Sequence, residues 1–123
     1  MYSKEVLDHY RHPRNLGEIP NATATVEATN PVCGDRLKLW ATMRDGHIVE
    51  ARFQVEGCIP AVACASWLTE WIKGKSTVEL TGLRAADVES AMGGLPSASR
   101  HAAALAVTGL EQLLGKIASR SGR

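Results

Sequence analysis

The stretch Leu37-Lys38-Leu39-Trp40-Ala41-Thr42-Met43-Arg44-Asp45-Gly46-His47-Ile48-Val49-Glu50-Ala51-Arg52-Phe53-Gln54-Val55 decides how the chain folds. Leu37, Leu39, Ala41 and Met43 alternate with Lys38, Trp40, Thr42 and Arg44, the two-residue period of a strand with one buried face. Asp45-Gly46 is a favoured two-residue hairpin turn, after which Val49, Ala51, Phe53 and Val55 alternate with Glu50, Arg52 and Gln54. The pattern predicts an antiparallel hairpin. Antiparallel pairing returns the chain to where it started, so residues just before the first strand and just after the second share one end of the sheet. Cys33-Gly34-Asp35 precedes the first strand and Gly57-Cys58 follows the second, so cysteines 25 positions apart become neighbours.

Downstream, Cys58 stands at a strand-to-helix corner, with Pro60 placed to open the helix. The positive end of a helix dipole favours a thiolate there, and Gly57 lets a metal or substrate approach the backbone. The helix predicts a buried stripe of Ala61, Ala65, Leu68 and Ile72, and Lys73-Gly74 ends it. Ser76-Thr77-Val78-Glu79 has capping-box spacing and predicts a short helix, and Arg84 to Met92 predicts another. Gly93-Gly94-Leu95-Pro96 then reads as an irregular connection. The longest helix runs from Ser99 to about Ala118, with Ala102, Leu105, Gly109, Leu113 and Ile117 on one side and His101 in its first turn.

Upstream, Ser3 caps a helix running to about His12, with Val6, Leu7 and Tyr10 as its apolar side, and Pro13 stops it. The segment from Arg14 to Thr29 reads as a loop followed by an edge strand beginning in Thr23-Ala24-Thr25-Val26.

With 123 residues, the chain is expected to form a single domain, 1–123, large enough to bury a core. Fourteen Lys+Arg against 13 Asp+Glu leave no strong field for nucleic acid or an acidic membrane surface. No apolar run is long enough to span a bilayer, and Met1-Tyr2-Ser3-Lys4-Glu5 lacks the apolar core of a secretion signal. The expected location is the cytoplasm, where three cysteines point to metal binding or thiol chemistry rather than a disulfide framework.

Thiolates and imidazole suit iron, zinc and copper(I), and two thiols, a carboxylate and an imidazole close a four-coordinate site. Cys33, Asp35, Cys58 and His101 are the candidates. Spacing alone leaves alternatives open: Cys33 as a small buried residue, Asp35 as a turn former, His101 as a cap-proximal histidine. Cys64 lies about 70° from the middle of its helix's buried stripe, between a ligand and a small core residue. His9, His12 and His47 lack partner spacing and read as surface residues. Trp40, Trp67 and Trp71 read as packing residues, an exposed one marking a partner surface.

Together, Tyr2-Ser3, Val6-Leu7-Asp8-His9-Tyr10, His12-Pro13-Arg14-Asn15, Cys33-Gly34-Asp35, Gly57-Cys58 and Thr69-Glu70-Trp71-Ile72-Lys73-Gly74-Lys75-Ser76 resemble the iron–sulfur cluster assembly scaffold family. That family includes the bacterial scaffold IscU and the N-terminal domain of NifU, and the resemblance covers nearly the whole chain in one register. It implies an α+β fold with a three-stranded antiparallel sheet and helices packed mainly on one face. It also implies a carrier rather than an enzyme: a cysteine desulfurase delivers sulfur, iron joins it, and a transient [2Fe-2S] cluster forms on three cysteines before passing to apo iron–sulfur proteins. Residue by residue, Cys33 and Cys58 match the first two of those cysteines, Asp35 the aspartate that influences cluster stability, and His101 the histidine beside the third.

The chain departs from the family at three places. It reads His101-Ala102 where the family reads His-Cys, so the usual sulfur acceptor is missing. It reads Leu95-Pro96-Ser97-Ala98-Ser99 where the family reads Leu-Pro-Pro-Val-Lys, which implies weakened or lost chaperone docking. Cys64 stands where the family more often has serine or another small residue. Two readings fit. In one, Cys33, Cys58 and His101, with Asp35 or Cys64, hold a cluster on an altered ligand set, since histidine replaces cysteine on iron in Rieske centres. In the other, the chain binds zinc or a single iron and regulates a desulfurase or relays sulfur through Cys58 or Cys33, without a stable cluster.

Overall fold

A computed structural model describes residues 2–121. The hairpin forms as its pattern predicts: β2 spans Arg36–Arg44 and β3 spans His47–Glu56. Asp45 and Gly46 both take positive φ, 54° and 78°, the left-handed pair of a tight hairpin turn. Edge strand β1, Ala24–Thr29, pairs antiparallel with β2, giving the sheet order β1-β2-β3. The register sets Ala28, Leu37 and Val55 side by side, then Val26, Leu39 and Phe53, then Ala24, Ala41 and Ala51.

One register detail corrects the alternation. The pairing shifts between Thr42 and Met43, so that Thr42 faces Glu50 while Met43 faces Ile48. Val49 is the extra residue of this bulge and is turned outward, 43% exposed, and Ile48 takes the core position with no exposure. A bulge flips the face of every residue on its far side, which simple alternation does not anticipate.

Helix α1 spans Lys4–Arg11 and is capped by Ser3, whose hydroxyl accepts from the Val6 N–H at 3.1 Å. Its buried side is Val6 and His9, whereas Tyr10 is exposed. His9 is thus a correction to the surface reading. Its Nδ1 lies 2.8 Å from the Ser66 hydroxyl, which also accepts from the Arg14 N–H at 2.9 Å. Helix α2, Ile59–Ile72, buries Ala61, Ala65, Leu68 and Ile72 as expected, with Pro60 in its first turn and Gly74 at φ 86° after its end.

The capping box at Ser76 and Glu79 opens the short helix α3, Thr77–Leu80, and α4 follows at Ala85–Ala91. A 3-10 turn over Ser97–Ser99 leads into α5, Arg100–Ser121. Helices α2 and α5 pack against the sheet, α1 against α2 and α4 against α5. Gly109 lets α5 come close, because a Cβ there would lie 2.8 Å from a Leu37 methyl and 3.0 Å from one of Leu39. The free edge of β3 is covered: Asn15 and Gly17 bond Phe53, and Gly74 and Lys75 bond Ile48. These elements make the expected α+β fold, a three-stranded antiparallel sheet with helices, and no described helix is long and apolar enough to cross a membrane.

Candidate metal centre

The turn before β2 is built by Asn30. Its side-chain carbonyl accepts from the Val32 N–H at 2.9 Å, and its main-chain carbonyl accepts from the Gly34 N–H at 2.8 Å. Gly34 takes φ 80°, which turns the chain toward the sheet. Cys33 is left exposed at the tip while Asp35, one residue ahead of the strand, is 7% exposed.

Across the hairpin, Arg36 faces Glu56, so Asp35 comes opposite Gly57 and next to Cys58. Cys58 is the N-cap residue of α2 and is half-buried. Its thiol donates to the Asp35 carboxylate at 3.2 Å. Burial pushes this thiol above its usual value and the adjacent carboxylate adds to the rise, while the Ala61 N–H works against it.

The fourth residue arrives from far along the chain. The first turn of α5 brings His101 Nε2 to 3.7 Å from Cys58 Sγ and 3.6 Å from Asp35 Oδ2. Cys33, Asp35 and His101 also offer ligand atoms that all lie within 4.8 Å of one another. The two turns and the start of α5 therefore converge on one corner of the molecule, with Asp35 and His101 common to both thiols.

Cys64 does not join them. It is fully buried in the core with Ala63, Ala65 and Leu68, and burial pushes its thiol up to about 12. The rotation of α2 turns Cys64 into the core. Ala102, beside His101, is likewise buried in the core at 1% exposure.

Two arrangements escaped the sequence reading. His9 recurs three residues after Val6, which is a helical spacing, yet Tyr10 satisfied the same pattern. Trp67 and Trp71 are four apart on α2 and stack at 5.6 Å, an arrangement their spacing on a helix permits.

The family description "NifU-like N terminal domain" matches residues 1–122. Among curated relatives, a protein of Archaeoglobus fulgidus named iron-sulfur cluster assembly scaffold protein IscU 1 is 36% identical over 123 residues, covering 100% of this chain and 80% of the relative. The Escherichia coli K12 protein named iron-sulfur cluster assembly scaffold protein IscU is also 36% identical over 123 residues, covering 97% of this chain and 95% of its own. Among solved structures, the N-terminal NifU-like protein from Brucella abortus superposes with a TM-score of 0.82 at 18% identity, covering 97% and 95% of the two chains. That likeness speaks for the fold.

Proposed function

The chain belongs to the NifU-like N-terminal domain family, and on that premise we propose that it is an iron–sulfur cluster assembly scaffold whose ligand set is Cys33, Cys58, Asp35 and His101. It acts as a carrier and not as an enzyme. Iron and sulfide are its cargo, a cysteine desulfurase its sulfur source, and apo iron–sulfur proteins its recipients. The observation that supports this reading is the convergence of Cys58, Asp35 and His101 within 3.2 to 3.7 Å of one another, with Cys33 beside Asp35 and His101.

The donor chemistry suits the cargo. Two thiolates supply soft ligands for iron, and the imidazole takes the place of a thiolate, as it does on the iron of Rieske centres. Asp35 serves as a hydrogen-bond acceptor for Cys58 when the site is empty and as an oxygen ligand or proton acceptor when the thiol is deprotonated. Cys33 projects from an exposed turn, the position a delivered sulfur atom reaches first. The stretch Leu95 to Ser99 ends in a 3-10 turn with Ser99 buried, and we read it as no longer presenting a chaperone motif.

A second reading has a specific observation in its favour. Ligand distances of about 2.0–2.3 Å in a tetrahedral zinc site put neighbouring donors roughly 3.3–3.8 Å apart. The Cys58–His101 and His101–Asp35 separations lie in that range. Single-ion binding, by zinc or iron, is therefore the alternative, in which the chain regulates a desulfurase or relays sulfur.

Anaerobic reconstitution with iron and sulfide, read by the visible spectrum and by iron and sulfide content, tests the assignment. The native chain and Cys64→Ser are expected to form the cluster equally, and Cys33→Ser and Cys58→Ser to lose it. Loss in Cys64→Ser would overturn the ligand set, and failure in the native chain with stoichiometric zinc binding would favour the single-ion reading.

A further inference from the structure

At the far end of α2 from the metal centre, a second feature stands apart from that chemistry. Trp67 and Trp71 stack with ring centroids 5.6 Å apart and planes inclined by 17°, and both indoles are half-buried rather than enclosed. They line an open cleft of about 400 Å³ together with Glu79, Asp87 and Leu83.

These carboxylates are held in place. Each belongs to the first turn of a short helix: Glu79 Oε1 accepts from the Ser76 N–H at 2.8 Å, and Asp87 Oδ2 from the Arg84 N–H at 2.9 Å. A carboxylate bonded to a backbone N–H through one oxygen still offers its remaining lone pairs. Two of the chain's own cations already engage these groups from outside the cleft lining, Lys75 also donating to the Trp71 carbonyl at 2.6 Å. Lys75 Nζ sits 4.7 Å from the Trp71 ring centroid, and Arg84 Nε lies 3.8 Å from Asp87 in an exposed pair that solvent contests.

The cleft continues across the ridge Thr81-Gly82-Leu83 into a larger groove of about 610 Å³ lined by Leu80, Leu110 and Leu114. Val78 stands beside it, 81% exposed. Aromatic faces and fixed carboxylates on one side of a ridge, and leucines on the other, match a segment that presents a guanidinium next to an apolar side chain. Guanidinium groups stack on indoles and bond carboxylates at once, which an ammonium does less well.

We propose that the cleft of Trp67, Trp71, Glu79 and Asp87 is a docking surface for a partner protein's arginine-bearing segment, whose neighbouring apolar residue enters the Leu83–Leu114 groove. Trp71 lies about 20 Å along the helix from Cys58, so a partner seated here leaves the metal centre open.

The test is titration of the full chain, zinc-free and zinc-loaded, with a synthetic hexapeptide alternating arginine and leucine, followed by the indole N–H resonances. The resonances of Trp67 and Trp71 are expected to move and that of Trp40, on the sheet, to stay. A peptide with glutamate in place of arginine is expected to leave all three unmoved. Trp67→Ala and Asp87→Asn, the latter keeping an acceptor for the helix cap, are each expected to weaken binding between about two- and fivefold. Equal binding of the glutamate peptide, or native affinity in both variants, would overturn the proposal. So would movement of the same resonances with protein concentration alone, which would assign the face to a second copy of the chain.

Discussion

Asp35 lies directly against the α-carbon of Gly57: a Cβ at residue 57 would meet the Asp35 Cγ at 2.7 Å and its Oδ1 at 2.9 Å. The absence of a side chain at one turn is therefore what allows the carboxylate of the other to reach the Cys58 thiol. Gly57→Ala is expected to push Asp35 away from Cys58 and His101. Overpacking of this kind costs about 1–3 kcal/mol of stability, and displacing a group that orients metal donors costs about 10–100-fold in metal affinity. Thermal unfolding and zinc titration against a chromophoric chelator would measure both. An alanine variant that binds zinc like the native chain would show that Asp35 contributes nothing to the site.

The three thiols differ in burial, and their reactivity is expected to follow. Cys33 is exposed and is expected to be alkylated first, Cys58 more slowly, and Cys64 only on unfolding. The Cys58 thiol is held above its usual value by burial first and by Asp35 in addition, so its rate is expected to climb with pH beyond the ordinary thiol range. Asp35→Asn removes the negative charge and is expected to speed Cys58 at pH 8 without changing Cys33. Iodoacetamide labelling mapped by mass spectrometry decides the order.

Cys64 makes a prediction about alkaline stability. Its folded value is raised to about 12 from 9.0, so the neutral thiol is favoured by the fold. The contribution is fully present below the unfolded value and is lost as pH rises toward the folded one. By pH 10.5 about 2 kcal/mol of it is gone. Cys64→Ala is expected to cost about 1 kcal/mol at neutral pH, through the small void it leaves, and to lose less stability than the native chain between pH 7.5 and 10.5. Urea unfolding of the two proteins at both pH values gives the difference, and parallel losses would contradict the assignment.

His9 makes the opposite prediction at the acid end. Burial lowers its pKa below 6.5, the Arg14 charge assists, and Glu70 and Asp8 oppose. A base with a depressed folded value contributes stability above its unfolded pKa that is lost as pH falls through the folded one. Protonation also makes Nδ1 a donor toward the Ser66 hydroxyl, which already accepts from the Arg14 N–H. The native chain is expected to lose more stability between pH 7 and 5 than His9→Gln, and Ser66→Ala to cost about 1 kcal/mol at pH 7. Thermal midpoints across that range would check it.

The sequence by itself determined the hairpin, its turn, the edge strand, the buried stripe of α2 and the caps of α1 and α3. Each of these depends on residues within a few positions of one another, where a period of two or 3.6 and the demands of a turn act directly. It also determined that the turn holding Cys33 and Asp35 shares one end of the sheet with Gly57 and Cys58, because antiparallel pairing returns the chain to where it began, and there Asp35 meets Gly57 and Cys58. Matching motifs nominated His101 by resemblance, while the imidazole's approach to Cys58 and Asp35 depends on how α5 lies across the sheet, which Gly109 permits through its contact with Leu37 and Leu39. Only the tertiary structure decided the burial of Cys64, since a fraction of a turn of α2 sets which of its side chains face the core. The bulge that exchanges Ile48 for Val49, and the burial of His9 in place of Tyr10, were likewise decided there. Which of two adjacent side chains goes inside depends on the shape of what it packs against, and that surface belongs to segments distant in the sequence.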